Sequence, residues 1–126
     1  MTMSRDPVPT VSVGDVVAAR DAAGTAPAAG PILLDVRNPD EFIEVRVSGA
    51  LLMPMPVFTA RFRELPVDRP IHVICASGSR SAMVTQFLIA NGYADVSNVA
   101  GGMIAWLRAG YPAVRGRPAE GEGELL

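Results

Sequence analysis

Residues 71–81 read IHVICASGSRS. Isoleucine and valine fill three of the first four positions, which suits a short hydrophobic strand. After Cys75 come Ala76, Ser77, Gly78 and Ser79, none large enough to fill the middle of a tight turn. Arg80 closes that turn, and Ser81 begins SAMVTQFLIANG, an apolar-periodic helix stopped by Asn91-Gly92. Strand, tight loop and helix in this order make a βα unit, with the cysteine at the carboxyl end of the strand. Ligand sites of open parallel sheets lie at such ends.

The flanking sequence repeats the alternation. PILLDVR (31–37) is a second short apolar run, and NPDEFIEVR (38–46) begins as helices do, with Asn38 before Pro39 and acids in the first turn. SVGDVVAARD (12–21) offers Ser12 as an N-cap, with Val13, Val16, Val17 and Arg20 at helical spacing. GALLMPMP (49–56) reads as a strand stopped by prolines, VFTARFREL (57–65) as one or two helical turns, and VDRP (67–70) as a turn. YADVSNVAGG (93–102) suggests a last strand and turn, and MIAWLRAG (103–110) a final helix ending at Gly110. The small-residue stretch DAAGTAPAAG (21–30) reads as a linker or surface loop. Residues 115–126, RGRPAEGEGELL, are rich in glycine and charge and are expected to form a disordered tail. Strands alternating with helices imply an α/β fold with a parallel sheet covered on both faces.

Composition narrows the function. The 126 residues make about one domain, and 49% hydrophobic content supports an ordinary core. A net charge of -2 with mixed signs argues against nucleic acid or a membrane surface as partner. All eleven basic residues are arginine, and alanine, glycine and proline abound, a composition expected of a GC-rich bacterial genome. The single cysteine makes no internal disulfide, and no CxxC or Cys/His set offers a metal site. MTMSRDPVPT (1–10) lacks the apolar run of a signal peptide, and no stretch approaches a membrane span, so a reducing, cytoplasmic setting is expected.

A lone cysteine after IHVI is, on that evidence, an inert core thiol. The loop changes the reading. Gly78 can take φ > 0 and let successive amides curl inward as an anion-binding nest at a helix N-terminus. Such a setting lowers a thiol from about 8.5 to somewhere near 3.5–7.5, and no histidine base is then required. The one histidine, His72, lies three residues before Cys75, so strand alternation turns the two to opposite faces. It reads as a packed, hydrogen-bonded core residue. Arg80 sits in the first helical turn, against the dipole, and is suited to binding an anion or to tying the loop to a carboxylate. Ser77 and Ser79 carry hydroxyls able to donate to a sulfur anion.

These features resemble the rhodanese-like, single-domain sulfurtransferases. CASGSRS (75–81) is similar to their C-x-x-G-x-R-[ST] active-site loop, and LLDVRNPDEF (33–42), SGALLMP (48–54) and VAGGMIAWLRAGYP (99–112) match in order. The resemblance covers residues 10–114. It implies a central parallel sheet of about five strands flanked by helices on both faces. It also implies a two-step transfer without metal or cofactor. Cys75 takes a sulfane sulfur from a small sulfur-containing anion such as thiosulfate, or from a persulfide donor, and yields it as a persulfide to cyanide or a thiol. Ala76, Ser77, Gly78, Ser79, Arg80 and Ser81 form the substrate-binding loop. Asp35 and Arg37, with Glu41, match a signature that supports this loop. A Cys-x5-Arg loop, as in protein tyrosine phosphatases, is one residue wider and fits a phosphate better. VRVSGA (45–50) departs from the family's Gly-His-Ile-Pro-Gly-Ala, with Val45 and Arg46 in place of Gly-His. The alternative reading is a binding, regulatory or redox-sensing module with little turnover. Donor, acceptor and oligomeric state are not legible in the chain.

Overall fold

The computed structural model describes residues 8–24 and 30–124. In chain order the strands are β1 (Thr10–Val11), β2 (Ile32–Asp35), β3 (Leu51–Leu52), β4 (Ile71–Ile74) and β5 (Val96–Val99). The helices are α1 (Val13–Ala23), α2 (Pro39–Glu44), α3 (Met55–Arg61), α4 (Ser79–Ala90) and α5 (Gly102–Arg108), with a 3-10 turn at Phe62–Glu64. The five strands form one parallel sheet in the order β1-β5-β4-β2-β3. β2 and β4, apolar but for Asp35 and His72, lie adjacent inside the sheet, and every one of their residues is buried. Only an interior parallel strand, covered on both faces, accommodates such a run.

Alternate side chains feed two cores. Ile32, Leu34, Val36, Ile71, Val73 and Cys75 face α3, the 3-10 turn and α4, where Phe58, Phe62, Val84 and Leu88 close the layer. Leu33, Ile74 and Val99 face the opposite way, onto Val16 of α1, Phe42 of α2 and Met103 and Trp106 of α5. Helix starts follow local signals. Ser12 accepts from the Asp15 amide at 3.0 Å while the Asp15 carboxylate accepts from the Ser12 amide at 2.9 Å. Glu41 does the same for the Asn38 amide at 3.0 Å.

Two expectations are corrected, and one strand carries no local signal: Thr10–Val11 is too short for periodicity, and its pairing with β5 alone defines it. Of the expected linker, Asp21–Ala23 continue α1, and residues 25–29 lie outside the described ones. The described part of the expected disordered tail, 115–124, packs on the domain. Glu122 forms an ion pair with Arg46, Gly116 and Gly123 take part in main-chain hydrogen bonds with Ile43 and Leu52, and the Phe42 ring lies beneath Gly123. Leu125 and Leu126 lie outside the described residues.

His72 is buried on the face opposite Cys75, with Asp95, Asp15 and Arg20 as its charged neighbours. The expectation that it is hydrogen-bonded fails at Nδ1, which finds no partner among the described residues. Burial pushes its pKa down, against the pull of Asp95 and Asp15.

Candidate active site

The chain leaves β4 at Ile74, turns through residues 75–78 and enters α4 at Ser79. Gly78 makes the turn at φ 106°, a conformation that L side chains rarely adopt. The carbonyls of Cys75 and Ala76 point outward, to the first amides of α5, accepting from Met103 at 2.8 Å and Ile104 at 3.1 Å. With those carbonyls turned out, the following amides are free to turn in. Gly102 permits the close approach: a Cβ there would lie 2.3 Å from the Cys75 carbonyl oxygen.

Cys75 Sγ lies inside this curl. It accepts from the Gly78 amide at 3.1 Å and sits 3.2 Å from Ser81 Oγ. Burial raises the thiol's pKa, but the Ser81 hydroxyl and the amides of Ser81, Gly78 and Ser77 outweigh it and bring the thiol below its ordinary value. The start of a three-turn helix adds its dipole in the same sense. The residue exposes no surface at rest. Ser81 Oγ also lies 2.5 Å from Asn98 Oδ1 on β5. One hydroxyl proton serves one acceptor at a time, so Asn98 Oδ1 and the Cys75 sulfur compete for it.

Arg80 is tied to a carboxylate. Its Nη1 and Nη2 donate to Glu41 Oε1 and Oε2 at 2.8 and 3.0 Å, a two-point ion pair between α4 and α2. The guanidinium holds the Glu41 carboxyl down to about 2, and Glu41 in turn raises Arg80. Arg37 does not pair with the Glu41 side chain. It donates through Nε and Nη2 to buried Asp35, at 2.8–3.1 Å, and reaches the carbonyls of Glu41 and Val45 at 3.3 and 2.7 Å. Asp35 and Arg37 thus clamp the last turn of α2 and, with it, the carboxylate that holds Arg80.

Of the predicted loop residues, Cys75, Gly78 and Ser81 meet at the sulfur. Ser77 contributes its amide alone and Ser79 makes no bond to the sulfur; their two hydroxyls are exposed and face each other at 3.5 Å. Ala76 contributes its carbonyl to α5. The reading missed Asn98, which comes from a different strand and carries no local signal. It also missed the partners of Arg46: the buried guanidinium donates to the Phe42 and Gly116 carbonyls and the Glu122 carboxylate. A cavity of about 580 Å³ opens at the amino ends of β2 and β3, among residues such as Arg20, Ile32, Leu51 and Gly123. It holds none of the predicted site residues. Among the described residues no cluster of His, Cys, Asp and Glu suits a metal, and no helix is long and apolar enough to cross a membrane.

Comparison with known proteins places this geometry. A family model described as a rhodanese-like domain matches residues 16–109. A protein of Allochromatium vinosum named sulfurtransferase is 40% identical over 83 residues, covering 66% of this chain and 78% of its own. The thiosulfate sulfurtransferase GlpE of Pseudomonas putida is 32% identical over 95 residues, covering 75% of this chain and 83% of its own. Among solved structures, a rhodanese-related protein from Thermoplasma volcanium superposes with a TM-score of 0.74 at 29% identity, over 84% of this chain and 97% of its own.

Proposed function

The chain belongs to the rhodanese-like family, and from that membership we propose that it is a sulfurtransferase that carries a sulfane sulfur on Cys75. The observation that carries the reading is the set of donors around one sulfur: the loop amides and the Ser81 hydroxyl. They favour thiolate over thiol without a histidine, and each pKa unit of lowering is worth about 1.4 kcal/mol.

In the first step the Cys75 thiolate attacks the outer sulfur of thiosulfate or of a persulfide. A sulfur–sulfur bond forms at Cys75, and the donor's sulfur–sulfur bond breaks, its electron pair leaving on sulfite or on the donor thiolate. In the second step cyanide or a thiolate attacks the outer sulfur, and the electron pair returns to Cys75. The same amides stabilise negative sulfur in both states. As the chain has one cysteine, the acceptor is another molecule.

Incubation with thiosulfate or a persulfide is expected to add one sulfur atom to the intact mass, removed by a reducing thiol and absent in Cys75→Ser. Wild-type protein that gains no sulfur from either donor overturns the proposal. The closed position of Cys75 favours a second reading, a rhodanese-fold binding or regulatory module with little turnover. Partner binding undiminished in Cys75→Ser, with no sulfur uptake by wild type, is the result that selects it.

A further inference from the structure

We infer that Glu41 sets donor specificity: by holding both terminal nitrogens of Arg80 it cancels the loop's one cation, so that Cys75 takes sulfur from alkyl persulfides in preference to the thiosulfate dianion. This inference rests on the sulfurtransferase reading above and narrows its donor.

Ala76, Ser77 and Gly78, between Cys75 and α4, carry no charge, so Arg80 in the first turn of α4 is the only positive side chain from 75 to 81. Both Nη atoms are engaged by Glu41, within 3.0 Å. Glu41 cannot swing away freely, because the same Oε1 accepts from the Asn38 amide at 3.0 Å and closes the start of α2. That helix is itself clamped by Arg37 at the carbonyls of Glu41 and Val45. The neighbouring cation, Arg37, is buried and committed to Asp35. Two guanidiniums and two carboxylates therefore cancel, and the ionised sulfur supplies the remaining charge. Thiosulfate brings two more negative charges to the same place. A neutral hydropersulfide, R–S–SH, brings none.

The surroundings suit the second donor. Ile104, whose amide bonds the Ala76 carbonyl, and Met83, one turn beyond Arg80 on the same face of α4, are both exposed and apolar. With a hydropersulfide, the Cys75 thiolate bonds to the terminal sulfur, the R–S to SH bond breaks, and R–S⁻ departs with the electron pair. The single negative charge passes from enzyme to leaving thiolate, and the proton stays on the transferred sulfur.

The test measures formation of the Cys75 persulfide by intact mass in single turnovers, with thiosulfate and with 2-hydroxyethyl hydropersulfide. Wild type is expected to react faster with the hydropersulfide. Glu41→Gln keeps an oxygen for the Asn38 amide and removes the charge. It is expected to raise the second-order rate with thiosulfate, relative to that with the hydropersulfide, about tenfold, from the loss of like-charge repulsion a few ångströms away. Glu64→Gln, which removes an exposed pair with Arg61, is the control and changes neither. A second measurement needs no variant. Added salt screens repulsion, so the wild-type rate with thiosulfate should rise with ionic strength, whereas a site presenting a free cation gives a fall. Faster wild-type reaction with thiosulfate, a fall with salt, or equal effects of Glu41→Gln on both donors each overturns the inference. Sulfur uptake from neither donor overturns the sulfurtransferase reading itself.

Discussion

At the scale of single residues, the proposed chemistry depends on how many donors meet Cys75 Sγ. Ser81 supplies both a hydroxyl and an amide, and its hydroxyl is the one donor removable without disturbing the main chain. Ser81→Ala is expected to move the pH inflection of Cys75 alkylation upward, toward an ordinary thiol. Sulfur uptake should slow by roughly tenfold or more, the worth of a hydrogen bond to a charged group. An unchanged inflection would leave the amides alone responsible. Glu41 gives a second residue-scale prediction. Its carboxyl titrates at about 2 in the fold against an ordinary 4.5, so below 4.5 the unfolded chain binds the proton more readily. Stability from the Arg80 pair is fully present above that ordinary value and is lost as pH falls through about 2. Urea titrations from pH 5 downward should show wild type losing this increment while Glu41→Gln does not.

At the scale of elements, what was legible is what local chemistry decides. Ser12 and Asn38 start helices where their side-chain chemistry says they should, and the apolar runs at 32–34 and 71–74 are the paired interior strands. What was not legible is the support under the active loop. The Gly101-Gly102 pair reads locally as a turn before a helix. In the fold, the start of α5 instead takes up the carbonyls of Cys75 and Ala76. Gly102 has φ 56° and no room for a Cβ beside the Cys75 carbonyl. Gly102→Ala should therefore cost at least about 2 kcal/mol in urea denaturation. It should also raise the Cys75 alkylation inflection, because the loop loses the contact that turns its carbonyls out. A stability loss without a change at Cys75 would show that α5 and the loop are independent.

At the scale of the whole molecule, the segment after Pro112 returns across the domain. Arg46 and Val114 exchange main-chain hydrogen bonds at 2.9 and 2.8 Å, and the Leu52 amide donates to the Gly123 carbonyl at 2.8 Å. The segment therefore bonds to β3, a sheet edge that would otherwise present open main chain. Arg46, 2% exposed, is the post to which it is tied. Arg46→Met is expected to cost about 2–3 kcal/mol, from the carbonyls of Phe42 and Gly116 left without their donor. Deleting residues 115–126 should speed hydrogen exchange at the Leu52 amide while exchange in β4 stays slow. Equal protection at Leu52 with and without the segment would mean that the segment does not guard the edge.

By itself the sequence determined the α/β alternation, its two short apolar strands and the glycine-turned loop that follows Cys75. Each of these follows from neighbours within a few residues: β-branched runs, capping side chains, a glycine where φ must be positive. The tertiary structure alone decided the partners that span the chain: Glu41 on Arg80, Asn98 on Ser81, α5 beneath the loop, Glu122 on Arg46. Charge and composition say that such groups need partners, but only packing brings residues 39 or 76 positions apart within hydrogen-bond reach and so decides which partner each one finds.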